Sequence, residues 1–372
     1  MSDPIRVLQV VTHMNRGGLE SMIMNYYRNI DRSKIQFDFL THRPEGEKKD
    51  YDDEILSYGG RIFHLPSLNP FSPLYLKALD EFFVTHTEYK IVHTHLDCMS
   101  GVVLKKAKQY GVPLRIAHCH SSSQDKNIKF IIKSIFKKNI KKYSTQMFAC
   151  GQCSGEWMFG KNCFEVLPNA IDSDKYIYNS VIRKRIREQL DINNDCFVIG
   201  HVGRFCTVKN HKFIIDILKE IRKIEPNVKV LFAGQGELLN DIKDIVERNQ
   251  LTSNVIFLGL RSDIPDILQA MDLFLLPSLY EGVPVSIIEA QASGLKCFIS
   301  DKVPLDCAIT DLVRQLSLNM TAEKWAEEII KEKNYNRDNT KDLIVKSNFD
   351  IKSNAAYLER VYLSAMRLGR II

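Results

Sequence analysis

The chain has 372 residues, 45% hydrophobic and 26% charged, with nine cysteines and a formal net charge of +6. That length exceeds one ordinary core and calls for two domains of roughly 170–190 residues, and the absence of a run of about 18 apolar residues argues against a membrane-spanning helix. Scattered cysteines fit reduced thiols better than a disulfide framework, and Met1-Ser2-Asp3-Pro4-Ile5-Arg6 lacks a signal-peptide layout, so residence in the cytoplasm is expected.

Apolar blocks alternating with helical patterns predict a parallel sheet in the first half, with strands over Ile5–Val11, Phe37–Thr41, Arg61–Leu65, Ile91–His95, Leu114–His118, Gln146–Ala149 and Phe164–Pro168. The first strand runs into Gly17-Gly18, and paired glycines at a helix start let backbone N–H groups approach an oxyanion. Two later strands end in Val92-His93-Thr94-His95 and Ala117-His118-Cys119-His120, both with histidines directed at a ligand. His120 and His118 are both candidates, and the resemblance described below favours His120 by its distance from Pro113. His118 is the alternative if the pairing shifts by one residue. The pair Cys150-Gly151-Gln152-Cys153 has no second pair at zinc spacing and reads as structural.

The positive charge is uneven: residues 1–170 hold 23 Lys plus Arg against 17 Asp plus Glu, and the remainder holds 28 of each. Much of the excess lies in Lys126–Lys142, where lysines alternate with Ile and Phe at helical spacing. Such a stretch suits either an anionic membrane surface or a helix packed on its own domain. No aromatic platform or DNA-binding motif accompanies it, so nucleic acid is not expected as a partner.

A polar stretch, Asn169–Asn194, separates the halves. Strands then restart at Cys196–Val202, Val228–Ala233, Asn254–Leu258, Asp272–Leu276 and Lys296–Ser300. The loop after the first of these carries Gly203, Arg204 and Lys209, a guanidinium fork and a compact ammonium matched to phosphate. After Asp272–Leu276 comes Pro277-Ser278-Leu279-Tyr280-Glu281-Gly282-Val283-Pro284, then a helix over Val285–Ser293 that contains Glu289. The start of that helix suits phosphate, and a carboxylate at Glu289 suits a vicinal diol such as ribose. The last segment, Ser347–Arg370, reads as helical.

Several of these runs together resemble the retaining family 4 glycosyltransferases. Glu281 and Glu289 match the E-x7-E signature, with Pro277-Ser278 before it and Glu289-Ala290-Gln291-Ala292-Ser293-Gly294 after it. Gly203-Arg204 to Lys209-Asn210 is similar to G-R-x4-K-N, Gly17-Gly18-Leu19-Glu20 to G-G-L-E, and Leu167–Asp172 to I-P-N-G-I-D with Ala170 in place of glycine. The opening Arg6-Val7-Leu8-Gln9-Val10-Val11 and the phrase Leu268-Gln269-Ala270-Met271-Asp272 are similar to bacterial exopolysaccharide and capsule enzymes.

The resemblance implies an α/β chain of the GT-B fold: two facing Rossmann-like parallel-sheet domains, 1–170 for the acceptor and 195–346 for the donor. A linker over 171–194 and a helix within 347–372 returning to the first domain complete it. The implied activity moves a hexose or N-acetylhexosamine from a UDP-sugar to a lipid-linked saccharide acceptor, with retention, at the inner membrane face. No cofactor and no metal are implied, Asp172-Ser173-Asp174 being read as structural. The implied catalytic residues are His120, Glu281, Arg204 and Lys209. Donor contacts fall to Gly17, Gly18, Gly203, Gly234, Arg261, Gly282, Val283 and Glu289, with His118, His95 and Asn169 as additional candidates. Two rival classes are a nucleotide-sugar 2-epimerase of related fold and a catalytically silent partner subunit.

Overall fold

The structure is a computed structural model that describes residues 3–15, 17–44, 46, 48–120 and 129–368. The chain divides into two compact units, residues 1–170 with 351–372, and residues 171–350. In the first, β1 (Ile5–Val11), α1 (Gly18–Asn29), β2 (Ile35–Thr41), α2 (Asp52–Ser57), β3 (Ile62–His64), α3 (Pro73–Thr85) and β4 (Ile91–Thr94) follow in order. Then come α4 (Ser100–Gln109), β5 (Leu114–Cys119), α5 (Lys129–Tyr143), β6 (Gln146–Ala149), α6 (Gln152–Phe159) and β7 (Glu165–Val166). The seven strands are parallel, in the order β3-β2-β1-β4-β5-β6-β7.

The second unit contains α7 (Ser180–Gln189), β8 (Phe197–Val202), α8 (His211–Ile224), β9 (Val228–Ala233), α9 (Leu239–Arg248), β10 (Val255–Gly259) and α10 (Ile264–Ala270). It continues with β11 (Leu273–Leu276), α11 (Val285–Ala292), β12 (Lys296–Ser300), β13 (Val313–Leu316), α12 (Ala322–Lys331) and α13 (Lys341–Lys346). Its six parallel strands run β10-β9-β8-β11-β12-β13. The last helix, α14 (Ile351–Leu368), belongs to the first unit, where Ala355, Leu358 and Tyr362 join Val7, Phe37 and Phe39 in one core.

Local sequence accounts for these elements. Strand β2 is buried along its whole length, as a strand covered by helices on both faces must be, and it is apolar accordingly. The exceptions are Gln36, Thr41 and Asp38, and Asp38 takes two Arg6 nitrogens at 2.5 Å each, the Tyr89 hydroxyl at 2.7 Å and the Arg61 N–H at 2.7 Å. Helix α8 turns Ile214, Ile215, Leu218 and Ile221 inward at helical spacing. Ser72 caps α3 ahead of Pro73, which fits the first turn because no N–H is needed there.

Three elements differ from the sequence expectation. Strand β13 was not anticipated, because it is an edge strand whose Arg314 and Gln315 are exposed. The polar stretch before β8 holds α7 and lies in the second unit, with Tyr176, Ile186 and Ile192 in its core. Helix α14 begins at Ile351 rather than Ser347, since Asn348 adopts a left-handed conformation with φ 61° that ends the preceding turn.

One ion pair bolts α7 to the sheet. Arg187 is 1% exposed and donates to the carbonyls of Ala270, Asn193, Asn194 and Cys196 and to Asp272 at 2.7 Å. Asp272 also takes Arg183 at 2.6 Å and the Val198 N–H at 2.8 Å. Asp272→Ala leaves that buried guanidinium without its carboxylate, so urea unfolding is expected to show a loss of about 3–5 kcal/mol. A loss under about 1 kcal/mol would mean that the carbonyl cage alone satisfies Arg187.

Candidate active site

In the second unit the strand order reverses between β8 and β11, and the loops that leave the carboxyl ends of these strands are tied together. The Leu279 N–H donates to the Val208 carbonyl at 2.7 Å, and Asn210 Nδ2 to the Pro277 carbonyl at 3.1 Å. These bonds carry Lys209 and Glu281 to a Nζ···Oε1 distance of 2.7 Å, with side chains 18% and 12% exposed. A charge-assisted bond so shielded holds the ammonium in one place before any ligand arrives.

Neighbouring loops complete the rim. Gly203, Phe205 and Gly234 donate backbone bonds to Ala233, Gln235 and Gly259 at 2.8–3.0 Å. Gly234 has φ 146°, and a Cβ there would lie 2.0 Å from the Gly203 carbonyl oxygen, so both the conformation and the close approach demand glycine. Arg204 stands apart from Lys209 in character: it is 72% exposed and pairs with Glu237 at 3.0 Å. Arg261 is held by Asp263 at 2.6 and 2.8 Å. Gly282 has open space where a Cβ would go. Val283 packs on the core beneath, and no side chain caps α11 at Pro284, which leaves its first N–H groups for a ligand.

Glu289 lies just over one turn into α11, and Tyr176 donates its hydroxyl to it at 2.7 Å. Burial raises the Glu289 carboxyl to about 7, against the opposing Tyr176 bond. The acids of the D-x-D stretch have lysine partners: Asp172 pairs with Lys175 at 3.4 Å and Asp174 with Lys341 at 2.5 Å, while Ser173 bonds Asp350 at 2.7 Å.

In the first unit the reversal falls between β1 and β4, and four histidines stack at the carboxyl ends of β4 and β5. Ring centroids are 4.3 Å apart for His93–His95 and for His118–His120, and 5.2–5.4 Å across the strands. His118 and His120 lie two residues apart at the carboxyl end of β5. Both share one face, a one-residue shift would move them together, and depth separates them. His118 is buried with Nε2 at 3.2 Å from the Leu167 carbonyl. His120, at the end of β5, is partly exposed, and its N–H donates to Asp97 Oδ1 at 2.9 Å.

Burial holds His93, His95 and His118 well below the usual imidazole range and His120 at about 4, so all four are neutral near pH 7. His93, His95 and His118 have ring nitrogens within 4.8 Å of one another. They do not fit a tetrahedral ion, whose nitrogens would lie about 3.3 Å apart and converge. Both His95 nitrogens are already bonded, to His120 and Gln9, and the His93 and His118 rings are 11° from parallel.

Two expected contacts look different here. At Gly17 a Cβ would fall 2.3 Å from Glu20 Oε2, so Glu20 folds over the start of α1, with His13 Nδ1 at 3.4 Å from its other oxygen. The Gly17-Gly18 turn thus meets a carboxylate of its own chain where an oxyanion was expected, although Gly18 itself has open space. Asn169 Oδ1 is buried without a partner among the described residues. Sequence reasoning missed Gln9, Asp97, Tyr176 and Tyr362. Gln9 carried a signal, being the one uncharged polar residue of β1; so did nothing in the other three, whose partners lie far off in sequence.

Each doubly wound sheet carries its polar groups at its own reversal, a fixed ammonium beside an uncapped helix in the second unit and neutral imidazoles in the first, the place where sheets of this kind take ligands. The comparisons are specific. A family profile described as "Glycosyltransferase Family 4" matches residues 16–175, and one described as "Glycosyl transferases group 1" matches residues 182–343. EpsF of Bacillus subtilis (strain 168) is 35% identical over 371 residues, covering 96% of both chains. The UDP-Gal:alpha-D-GlcNAc-diphosphoundecaprenol alpha-1,3-galactosyltransferase of Escherichia coli is 30% identical over 74% of both. Among solved structures, Anabaena Alr3699/HepE in complex with UDP superposes with a TM-score of 0.80 at 16% identity, over 96% of this chain and all of that one. The chain belongs to the family 4 glycosyltransferases of GT-B fold and is a glycosyltransferase of polysaccharide biosynthesis.

The raised Glu289 carboxyl has a consequence for stability. Between the ordinary carboxyl value and about 7 the folded chain keeps this proton while the unfolded chain loses it, so stability falls as pH rises through that window and is level above it. Between about pH 5 and pH 8 the wild type is expected to lose roughly 1–3 kcal/mol more than Glu289→Gln in urea melts. Parallel losses would mean that Glu289 is ionised throughout.

Proposed function

We propose that the chain moves a hexose or N-acetylhexosamine from a UDP-sugar to a lipid-linked saccharide acceptor, with retention at the anomeric carbon and without a metal ion. The observation that carries this reading is the shielded Lys209–Glu281 pair at the reversal between β8 and β11. Lys209 and the start of α11 offset charge on the departing diphosphate, with Arg204 exchanging Glu237 for a phosphate oxygen. Glu281 then faces the sugar hydroxyls, Glu289 the ribose, Arg261 and Gly234 the base and its rim, and His120 the sugar. In the transfer, the bond from the anomeric carbon to the phosphate oxygen breaks while the acceptor oxygen bonds the same face. The acceptor's proton passes to the departing phosphate oxygen, leaving the protein positioning and electrostatics.

The donor class is supported by the UDP named with the Anabaena structure, and the acceptor class by the diphosphoundecaprenol in the name of the Escherichia coli relative. A peripheral location on the inner membrane face agrees with the basic excess of residues 1–170. No helix among the described residues is long and apolar enough to cross a membrane. Of the Lys126–Lys142 stretch, residues 126–128 and the side chains of 129–135 lie outside the described residues. In the remainder Phe136 and Ile140 pack on the first unit, so its lysines, not its apolar stripe, are what a lipid surface would meet.

UDP release from UDP-glucose, UDP-galactose, UDP-N-acetylglucosamine and UDP-N-acetylgalactosamine, measured in EDTA with and without membrane lipid extract, tests the reading. Extract-dependent release from one donor is expected, falling by about 10²-fold or more in Glu281→Ala. Loss of turnover in EDTA would refute metal independence. A changed sugar nucleotide without acceptor would indicate an epimerase, and tight donor binding without turnover a silent partner.

A further inference from the structure

A chain of hydrogen bonds crosses the first unit behind His120. It begins on α14, where the Tyr362 hydroxyl lies 2.7 Å from His93 Nδ1 and 3.3 Å from Gln9 Nε2. Gln9 Oε1 is 2.9 Å from His95 Nε2, and His95 Nδ1 is 3.0 Å from His120 Nε2. Gln9, His93, His95 and Tyr362 are all buried. They border a cavity of about 10 Å3, room for one water at most, so a broken bond there is not readily replaced by solvent.

The chemistry of each member sets the next. An amide oxygen accepts and never donates, so His95 Nε2 carries the hydrogen. A neutral imidazole has one N–H, which leaves His95 Nδ1 as an acceptor, and the hydrogen between the two rings therefore sits on His120 Nε2. His120 Nδ1 is then a bare lone pair, and it is buried without a partner among the described residues.

We propose that Gln9, held by Tyr362, acts through His95 as a positioning residue that fixes the tautomer of His120, so that His120 accepts a hydrogen bond from a hydroxyl of the donor sugar. This rests on the proposed reading of His120 as the sugar contact. The opposite amide orientation would reverse every bond and place the hydrogen on Nδ1, making His120 a donor suited to a phosphate or carbonyl oxygen. The two polarities thus select opposite ligand chemistry.

Histidine-selective 15N labelling of the full chain, with two-bond 1H–15N correlation and assignment through His120→Gln, reads which nitrogen is protonated. The wild type is expected to show His120 protonated at Nε2. Gln9→Leu is expected to give a mixture of tautomers and to weaken binding of the preferred UDP-sugar roughly five- to tenfold, the worth of one misdirected hydrogen bond, with UDP binding unchanged. Tyr362→Phe, which deletes one oxygen from α14, shifts both in the same direction by less. Protonation at Nδ1 in the wild type, or a tautomer indifferent to Gln9→Leu, overturns the relay. The expected spectra together with unaltered UDP-sugar binding in His120→Gln would uphold the relay and overturn the sugar contact.

Discussion

In a parallel sheet the connections on either side of a strand pair leave in opposite directions only where the strand order reverses, and there the loops part to admit a ligand. Each sheet here reverses once, between β1 and β4 and between β8 and β11. Both reversals are crossed by polar bonds between residues from the two sides. Gln9 of β1 meets His95 just after β4, and Lys209 after β8 meets Glu281 after β11. The cores beneath are apolar and nearly solvent-free, so these polar groups have nowhere to go but the carboxyl ends of the strands, where loops and helix starts can satisfy them.

Strand β11 shows how one sheet separates stability from chemistry. At its amino end Asp272 meets Arg187, which is 1% exposed and spreads its donors over four carbonyls and the carboxylate. At its carboxyl end Glu281 meets Lys209, and an ammonium has three donors of which Glu281 takes one. Both contacts are short, and geometry alone does not tell them apart. The difference lies in burial and donor use: a buried guanidinium caged by carbonyls and a carboxylate is a bolt, whereas an ammonium bonded to Glu281 through one donor at a switch point is poised for an anion.

Much of this was legible in the sequence because the signals were local. Alternating apolar blocks marked twelve of the thirteen strands to within a few residues, and Arg204, Lys209, Glu281 and Glu289 stand in loops and a helix whose chemistry is written in neighbouring residues. What stayed hidden was long-range. Nothing near Tyr362 shows that it bonds His93, 269 positions away, or Gln9, 353 away. Tyr176 lay in a stretch that reads as linker by composition, yet its ring is in the second core and its hydroxyl on Glu289. The expectation that a one-residue shift would exchange the faces of His118 and His120 failed for another reason: residues two apart in a strand share a face, so such a shift moves both together.

The two units differ in the state of their titratable groups, and this bears on where the acceptor's proton goes. The second unit presents a short Lys209–Glu281 bond shielded from solvent. The first presents imidazoles that burial keeps neutral, with His120 at about 4. A base that weak takes a proton poorly near neutral pH, and its neighbours His93, His95 and His118 are held lower than usual by the same cause. Histidine is the usual general base of enzymes, but these histidines are tuned away from that task and toward hydrogen bonding with a hydroxyl. In the proposed transfer, the departing phosphate oxygen, anionic and bonded to the carbon under attack, is then the better destination for the proton. On the proposed reading, the same burial that costs the first unit its basicity supports a transfer assisted by the leaving group.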